Sequence, residues 1–341
     1  MLQKRRGVLA GAAMLAIGSF AISDGAAAQG ADRSYILTTA TTGGTYYPVG
    51  VALATLIKVK LMNSDNIDMS AISSAGSGEN IKLLRENQAQ FAILQGLFGQ
   101  WAWKGTGKVE ADGQQANLRS ITMLWQNVEQ MVLATDLAET GTVDDLAALA
   151  GKPFSIGTKN SGTEGSGQTL LSNLGIDWQG FELVHQGYTP TAEGLQNGTI
   201  LGGNLTGGPP VTAVTQAKAS MGEALTVLDF TDEQMVRANG DGDLWTRYVV
   251  PAGTYPDQPK DISTVAQPNF LAVNADVDEE AVYLITKTIY ENLPFLQNIH
   301  AATKAMSLEK ATAGLPAPLH PGALRYFEEQ GLEIPETLRG G

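Results

Sequence analysis

The chain repeats one local pattern that leaves few folds open: a short apolar or β-branched run, a turn of glycine, serine and threonine, then an amphipathic helix. Residues 34–40 read as a strand and 67–72 as another. Between them Pro48 to Met62 reads as a helix with Val51, Leu53, Ala54, Leu56, Ile57 and Leu61 on a broad apolar face. The turn "AGSGEN", a helix from Asn80 to Asn87 and the strand "FAILQG" follow. Strands alternating with helices build a mostly parallel sheet covered by those helices. "SITMLW" and "QMVLAT" add two strands and "TVDDLAALAG" a short helix. The rhythm then restarts with "KPFSIG", "SGTEGSGQTLLSNLG" closed by Gly175, and "FELVHQGY". The expectation is an α/β protein with a second α/β unit beginning near residue 131. Glu279 to Phe295 gives the clearest helix, with Val282, Ile285, Ile289 and Leu293 at helical spacing. Pro251 to Pro268, with four prolines, reads as a connector, and "GLPAPLHPGALRYFEEQG" as an extended stretch leading into a short helix.

Lys4, Arg5 and Arg6 precede an uncharged run over 7–22, and Ala26, Ala27 and Ala28 supply the small residues of a cleavage site. This is the pattern of an export signal over residues 1–28, which the twin-arginine pathway could also read through Arg5 and Arg6. The run is too short and too rich in Ala and Gly for a membrane anchor of roughly 20 apolar residues. Its removal takes away three cations and one anion, so the formal charge moves from −13 to −15. Such a balance argues against nucleic acid and anionic membrane surfaces, both of which need clustered Lys and Arg. The absence of cysteine rules out disulfides, thiolate nucleophiles and Cys-based metal sites. His185, His300 and His320 show no spacing that puts two imidazoles on one metal, so neither a metal nor a cofactor is expected. No nucleophile elbow is present, "KGTGKV" is not a Walker loop, and "GTKNSGTEGSG" does not fit a dinucleotide fingerprint. The enzyme alternative rests on His185 as a base near the serines of "NSGTEGSG".

What remains is a set of polar, glycine-rich turns, each following a predicted strand, where open α/β sheets bind ligands. "TTGGTYYP" offers Gly43, Gly44, Thr45 and Tyr46. "SSAGSGEN" offers Ser77 and Asn80, with Gln95 at the end of the next strand. "GTKNSGTEG" offers Ser161, Gly162 and Thr163, and "GNLTGGPP" offers Pro209. Free N–H groups at a helix start and the helix dipole favour an anionic group, glycine permits close approach, and Tyr46 adds an aromatic wall with a polar rim. Taken singly, each turn reads first as a capped helix start, because Ser, Thr and Gly are good cap residues. Four of them in two α/β units point to a shared cradle for a small polar solute.

The stretches "TTGGTYYPVGVALA", "GSGENIKLLRENQAQFAILQ", "VDDLAALAGKPFSIGTKNSGT", "VPAGTYPDQPKDISTVAQPNFLAVNADVDEEAVYLITKTIYEN" and "LPAPLHPGALRYF" resemble, in the same order, the solute receptors of TRAP transporters of the TAXI family. The resemblance implies a class II periplasmic binding-protein fold, with residues 30–130 and 245–341 as lobe one and 131–244 as lobe two. It further implies a periplasmic, monomeric, non-enzymatic receptor that closes on a small ligand and is partnered by a TRAP membrane permease. The implied ligands are glutamate-like amino acids or 2-oxoglutarate-like dicarboxylates. A ligand sensor feeding a membrane kinase is the alternative on the same fold. Two departures bear on the ligand. Glu164 follows "SGT" where the family tends to a small or basic residue, and "LWQNVEQMVLA" replaces a pattern like "LYPEPLHLV", bringing in Gln126, Asn127 and Glu129. Arg85, Arg119 and Arg247 are the arginines considered for a bound carboxylate.

Overall fold

A computed structural model describes residues 33–340; the export signal expected over 1–28 lies outside the described residues. Chain order begins with β1 (Arg33–Thr38), α1 (Tyr46–Asp65), β2 (Ile67–Ile72), α2 (Ser77–Arg85), β3 (Phe91–Gln95), α3 (Gly96–Lys104) and β4 (Leu118–Val128). It continues through β5 (Met131–Ala134), β6 (Pro153–Ser155), α4 (Gly162–Asn173), β7 (Glu182–Val184), α5 (Tyr188–Gln196), β8 (Gly202–Asn204), α6 (Thr212–Met221), β9 (Leu225–Val227) and α7 (Asp232–Asn239). β10 (Thr246–Val250), β11 (Ile262–Asn274), α8 (Glu279–Glu291), α9 (Leu293–Ile299) and α10 (Pro321–Glu329) complete it.

Two sheets result. One runs β10-β11-β3-β1-β2, with β4 also paired to β11; the other runs β7-β6-β8-β5-β9. β1 pairs in parallel with β2 and β3, and β6 in parallel with β7 and β8. The strand that closes each parallel set, β11 or β5, runs antiparallel. Parallel strands covered on both faces need unbroken apolar runs, and all five residues of β3 are buried. α1 packs Val49, Leu53, Leu56, Ile57 and Leu61 inward and stops at Asn66, whose left-handed backbone brings its N–H to the Leu61 carbonyl. Val51, expected on that apolar face, is exposed.

The first sheet's cores include Leu53, Ile57, Phe91, Ile285 and Phe327 on one side and Leu84, Phe98 and Phe270 on the other. The second sheet is held by Phe154, Leu170, Leu171 and Phe230 and by Val132, Leu195, Val214 and Leu225. Val265 joins the first of these latter clusters, and Val128, Val250, Ile262 and Ala266 the second. β4, β10 and β11 are therefore bonded into the first sheet while part of their side chains packs with the second. These strands link the two sheets.

Three sequence expectations need correction. Ile262 to Pro268 is strand, not connector. Pro268 sits where one flank of β11 changes from β10, whose pairing ends at Ala266, to β3, whose pairing begins at Asn269, beside a register shift. The helix expected through Phe295 breaks at Asn292, and Pro294 lies in the first turn of α9, where its missing N–H is harmless. The "TVDDLAALAG" segment is a 3-10 turn over Val143–Leu149.

Candidate functional site

A ligand crevice in an open α/β sheet lies beyond the carboxyl ends of the strands, where neighbouring connections leave in opposite directions. β1 between β2 and β3, and β6 between β7 and β8, are those points here. α1 leaves β1 and α4 leaves β6, so the two helices start at the crevice, joined by the start of α2 after β2. Their first turns border one cavity of about 40 Å³. On a scale where a water needs roughly 10–15 Å³, it has room for about three waters or one small solute.

Of the residues expected from sequence, Gly44, Thr45, Tyr46, Ser77, Gln95, Ser161, Gly162 and Thr163 line this cavity together. Gly43, Asn80 and Pro209 do not. The Gly43 carbonyl instead accepts from the Ala213 N–H at 3.1 Å, linking the lobes. Asn80 lies a turn deeper on α2 and is fully engaged: Nδ2 donates to the Thr39 and Ile93 carbonyls, and Oδ1 accepts from Thr38 and Ser74. Pro209 borders a separate cavity with Trp125 and Tyr248. None of the three arginines reaches the site. Arg85 pairs with Asp112, Arg247 with Asp232, and Arg119 bonds the Ala116 and Leu118 carbonyls. Glu164 is buried in the first turn of α4, where Oε2 accepts from the Asn160 N–H and lies 3.5 Å from Lys108 Nζ.

Sequence reasoning passed over Tyr188, Thr158 and Thr206 and noted Asn127 only as a departure; all four line the cavity. A signal for Tyr188 existed. Tyr46-Tyr47-Pro48 opens α1 and Tyr188-Thr189-Pro190 opens α5, the same Tyr-x-Pro in each lobe. A proline in the first turn forfeits no helical hydrogen bond, so both tyrosines sit at helix starts and turn inward.

The hydroxyls are largely engaged within the protein. Thr45 Oγ1 donates to the Gly208 carbonyl at 3.2 Å, across the lobes. Tyr188 donates to the Thr206 carbonyl at 2.5 Å, so the 2.6 Å contact between Thr163 and Tyr188 takes its proton from Thr163. Ser161 Oγ accepts from the Glu164 N–H and caps α4. Burial raises the phenol pKa values of both Tyr46 and Tyr188, keeping them protonated. What stays available to a solute is the unpartnered Asn127 Nδ2 and Gln95 Oε1 together with backbone N–H: α1 and α2 have no side-chain cap at their N-termini, and first-turn N–H groups have no intrahelical acceptor. Among the described residues, no charged side chain borders the cavity. Three helix starts and no charged side chain leave the cavity lined by neutral polar groups.

Behind the cavity, Glu129 occupies the crossing from β4 to β5. Burial pushes its carboxyl up to about 7, opposed by the donors Asn204, Thr206, Ser166 and Gln267. Its Oε2 accepts from Asn204 Nδ2 at 3.0 Å and Thr206 Oγ1 at 2.9 Å, while Oε1 lacks a bond of full geometry.

The two lobes touch across the cleft. The Glu79 N–H donates to the Asn160 carbonyl at 3.0 Å. Gly162 fits only because it has no side chain: a Cβ there would stand 2.6 Å from Gln95 Cδ. His185, the one base considered for catalysis, has Nδ1 3.4 Å from Glu164 Oε1, facing a carboxylate and not a serine.

Comparison with known proteins agrees with this geometry. Among solved structures, the periplasmic binding protein BugD superposes with a TM-score of 0.52 at 12% identity, over 88% of this chain and 94% of that one. The alkanesulfonate-binding protein SsuA from Xanthomonas axonopodis pv. citri, bound to MOPS, gives 0.45 at 9% identity over 87% and 90%. An amino acid ABC transporter substrate-binding protein from Streptococcus pneumoniae, bound to L-arginine, gives 0.45 at 11% identity over 80% and 95%. The likeness to BugD and the paired sheets show the class II periplasmic binding-protein fold, two α/β lobes with the cleft between them. The model of the NMT1-like family matches residues 37–331, nearly all of the described chain, and the protein belongs to that family.

Proposed function

We propose that this protein is a periplasmic solute receptor of a TRAP transporter of the TAXI type. It captures a small organic anion by lobe closure and delivers it unchanged to a membrane permease. The observation that carries the reading is the cavity itself: uncharged, bordered by both lobes, and met by three helix starts. Ligand that bonds both lobes favours the closed form in proportion to that differential affinity, and the closed surface is what a permease can recognise. In this reading residues 30–130 and 245–341 form lobe one, residues 131–244 form lobe two, the protein acts as a monomer, and residues 1–28 direct export. Among the described residues no helix is long and apolar enough to cross a membrane, which suits a receptor released from its signal.

The test is a thermal-shift screen of small carboxylates and amino acids, followed by small-angle scattering and mass spectrometry on every hit. A hit at about 100 times its dissociation constant should add roughly 2.7 kcal/mol of stability and compact the protein. Recovery of the hit unaltered supports the receptor; its conversion refutes it in favour of an enzyme.

A further inference from the structure

Asn127, near the end of β4, borders the cavity and is 1% exposed. Its Oδ1 accepts from Asn269 Nδ2 at 3.1 Å, and its Nδ2 has no partner among the described residues. A buried amide donor left unmet is costly, so its persistence beside a cavity points to an acceptor on the solute.

Hydrogen bonds behind the cavity orient the amide. Tyr46 donates to Asn269 Oδ1 at 2.5 Å, since an amide oxygen can only accept. With that oxygen engaged, Asn269 turns its Nδ2 to Asn127, Asn127 answers with its oxygen, and Nδ2 is left for the cavity.

Resting on the receptor reading above, we infer that Asn127 reads the solute's polarity: it presents a donor, so the bound anion carries an oxo, hydroxyl or carboxylate oxygen there and not an ammonium group. Gln95 Oε1, also buried and unpartnered at the cavity, is left to accept from a hydroxyl elsewhere on the solute; no carboxylate among the described residues borders the cavity to receive an ammonium, and three helix starts oppose a cation.

Titration calorimetry on the full protein with two matched triples tests this: pyruvate, lactate and alanine, and 2-oxoglutarate, 2-hydroxyglutarate and glutamate. In one triple, an oxo or hydroxy member should bind at least about tenfold tighter than its amino counterpart, and Asn127→Ala should weaken it about ten- to a hundredfold. Asn127→Asp, which exchanges donor for acceptor, should erase or reverse the preference, and Asn127→Ser should restore part of the binding lost in Asn127→Ala. Melting of the free variants checks that each folds, and the alanine and serine variants decide the matter if the aspartate does not. An amino member that binds as well as its oxo partner, or a ratio untouched by all three variants, overturns the polarity assignment and leaves the receptor reading standing. If no member of either triple binds, the receptor reading fails, and the inference with it.

Discussion

Gly78 offers a way to block closure without touching the cavity. It lies in the first turn of α2, and a Cβ built there would stand 2.4 Å from the Asn160 carbonyl oxygen of the other lobe and 3.2 Å from Phe98 Cε1 of its own. The first contact is with backbone, which cannot swing aside as a side-chain tip can. Gly78→Ala therefore obliges the lobes to part by several tenths of an ångström at the α2 side of the cleft. That separation strains the neighbouring Glu79 N–H bond to the same carbonyl, worth about 0.5–1.5 kcal/mol. Added to an overpacking cost of about 1–3 kcal/mol, this disfavours the closed form by roughly 2–4 kcal/mol, or about 30- to 1,000-fold in affinity. In the open form Asn160 is out of reach, and alanine in a helix is favoured over glycine by roughly 0.5–1 kcal/mol. The free variant should accordingly melt at or slightly above the wild-type temperature. Calorimetry on a ligand found by the screen, with scattering of free and saturated protein, gives both readings. Wild-type affinity with wild-type compaction refutes the close approach. A free variant that melts well below wild type refutes lobe opening, because the clash is then present without ligand.

Two further outcomes follow from the same contacts. Thr45→Val removes the cross-lobe bond to Gly208 while keeping the side-chain shape, so affinity should fall by about 0.5–1.5 kcal/mol, roughly two- to tenfold, with little change in the free protein's melting; unchanged affinity would place that bond outside the closure equilibrium. Burial raises the Glu129 carboxyl from its ordinary 4.5 to about 7, so the folded state holds its proton more tightly than the unfolded state does. The resulting stability is fully present below pH 4.5 and lost as pH rises through 7, at most about 3 kcal/mol. Urea midpoints across that window should fall with pH less steeply in Glu129→Gln than in wild type, and equal slopes would refute the assignment.

The elements legible in sequence were those whose periodicity agrees with local chemistry. β2, β3 and the body of α1 are set by apolar runs and by the turns between them, and the Gly-Ser-Thr turns that start α1, α2 and α4, with Gln95 at the end of β3, placed eight of eleven expected site residues on one cavity. The misses have a common cause in long-range geometry. Asn80 has the right chemistry, but helical rotation turns it back onto the Thr39 and Ile93 carbonyls. Thr45 and Thr163 line the cavity as expected, yet their protons go to Gly208 and Tyr188, partners 163 and 25 residues away in sequence. Asn127 and Thr206 lie at strand ends beside the link between the sheets, where no local pattern distinguishes a cavity wall from a sheet edge. Pro268 misled because four prolines read as a connector until the tertiary gap between β10 and β3 gives one of them a place in a strand.

In the proposed reading, an acidic protein takes up an anion without a cation in its cavity, and closure accounts for this. A guanidinium clamp on one lobe would hold a carboxylate nearly as well with the cleft open, because one bidentate pair supplies much of the binding. Neutral N–H donors are individually weaker and compete poorly with water while the cleft is wet. They become effective when closure excludes water and sums the starts of α1, α2 and α4 around the solute. The differential between open and closed affinity is then large for a modest total affinity. That property suits a carrier, since whatever pries the lobes apart removes much of the binding at once and lets the solute go.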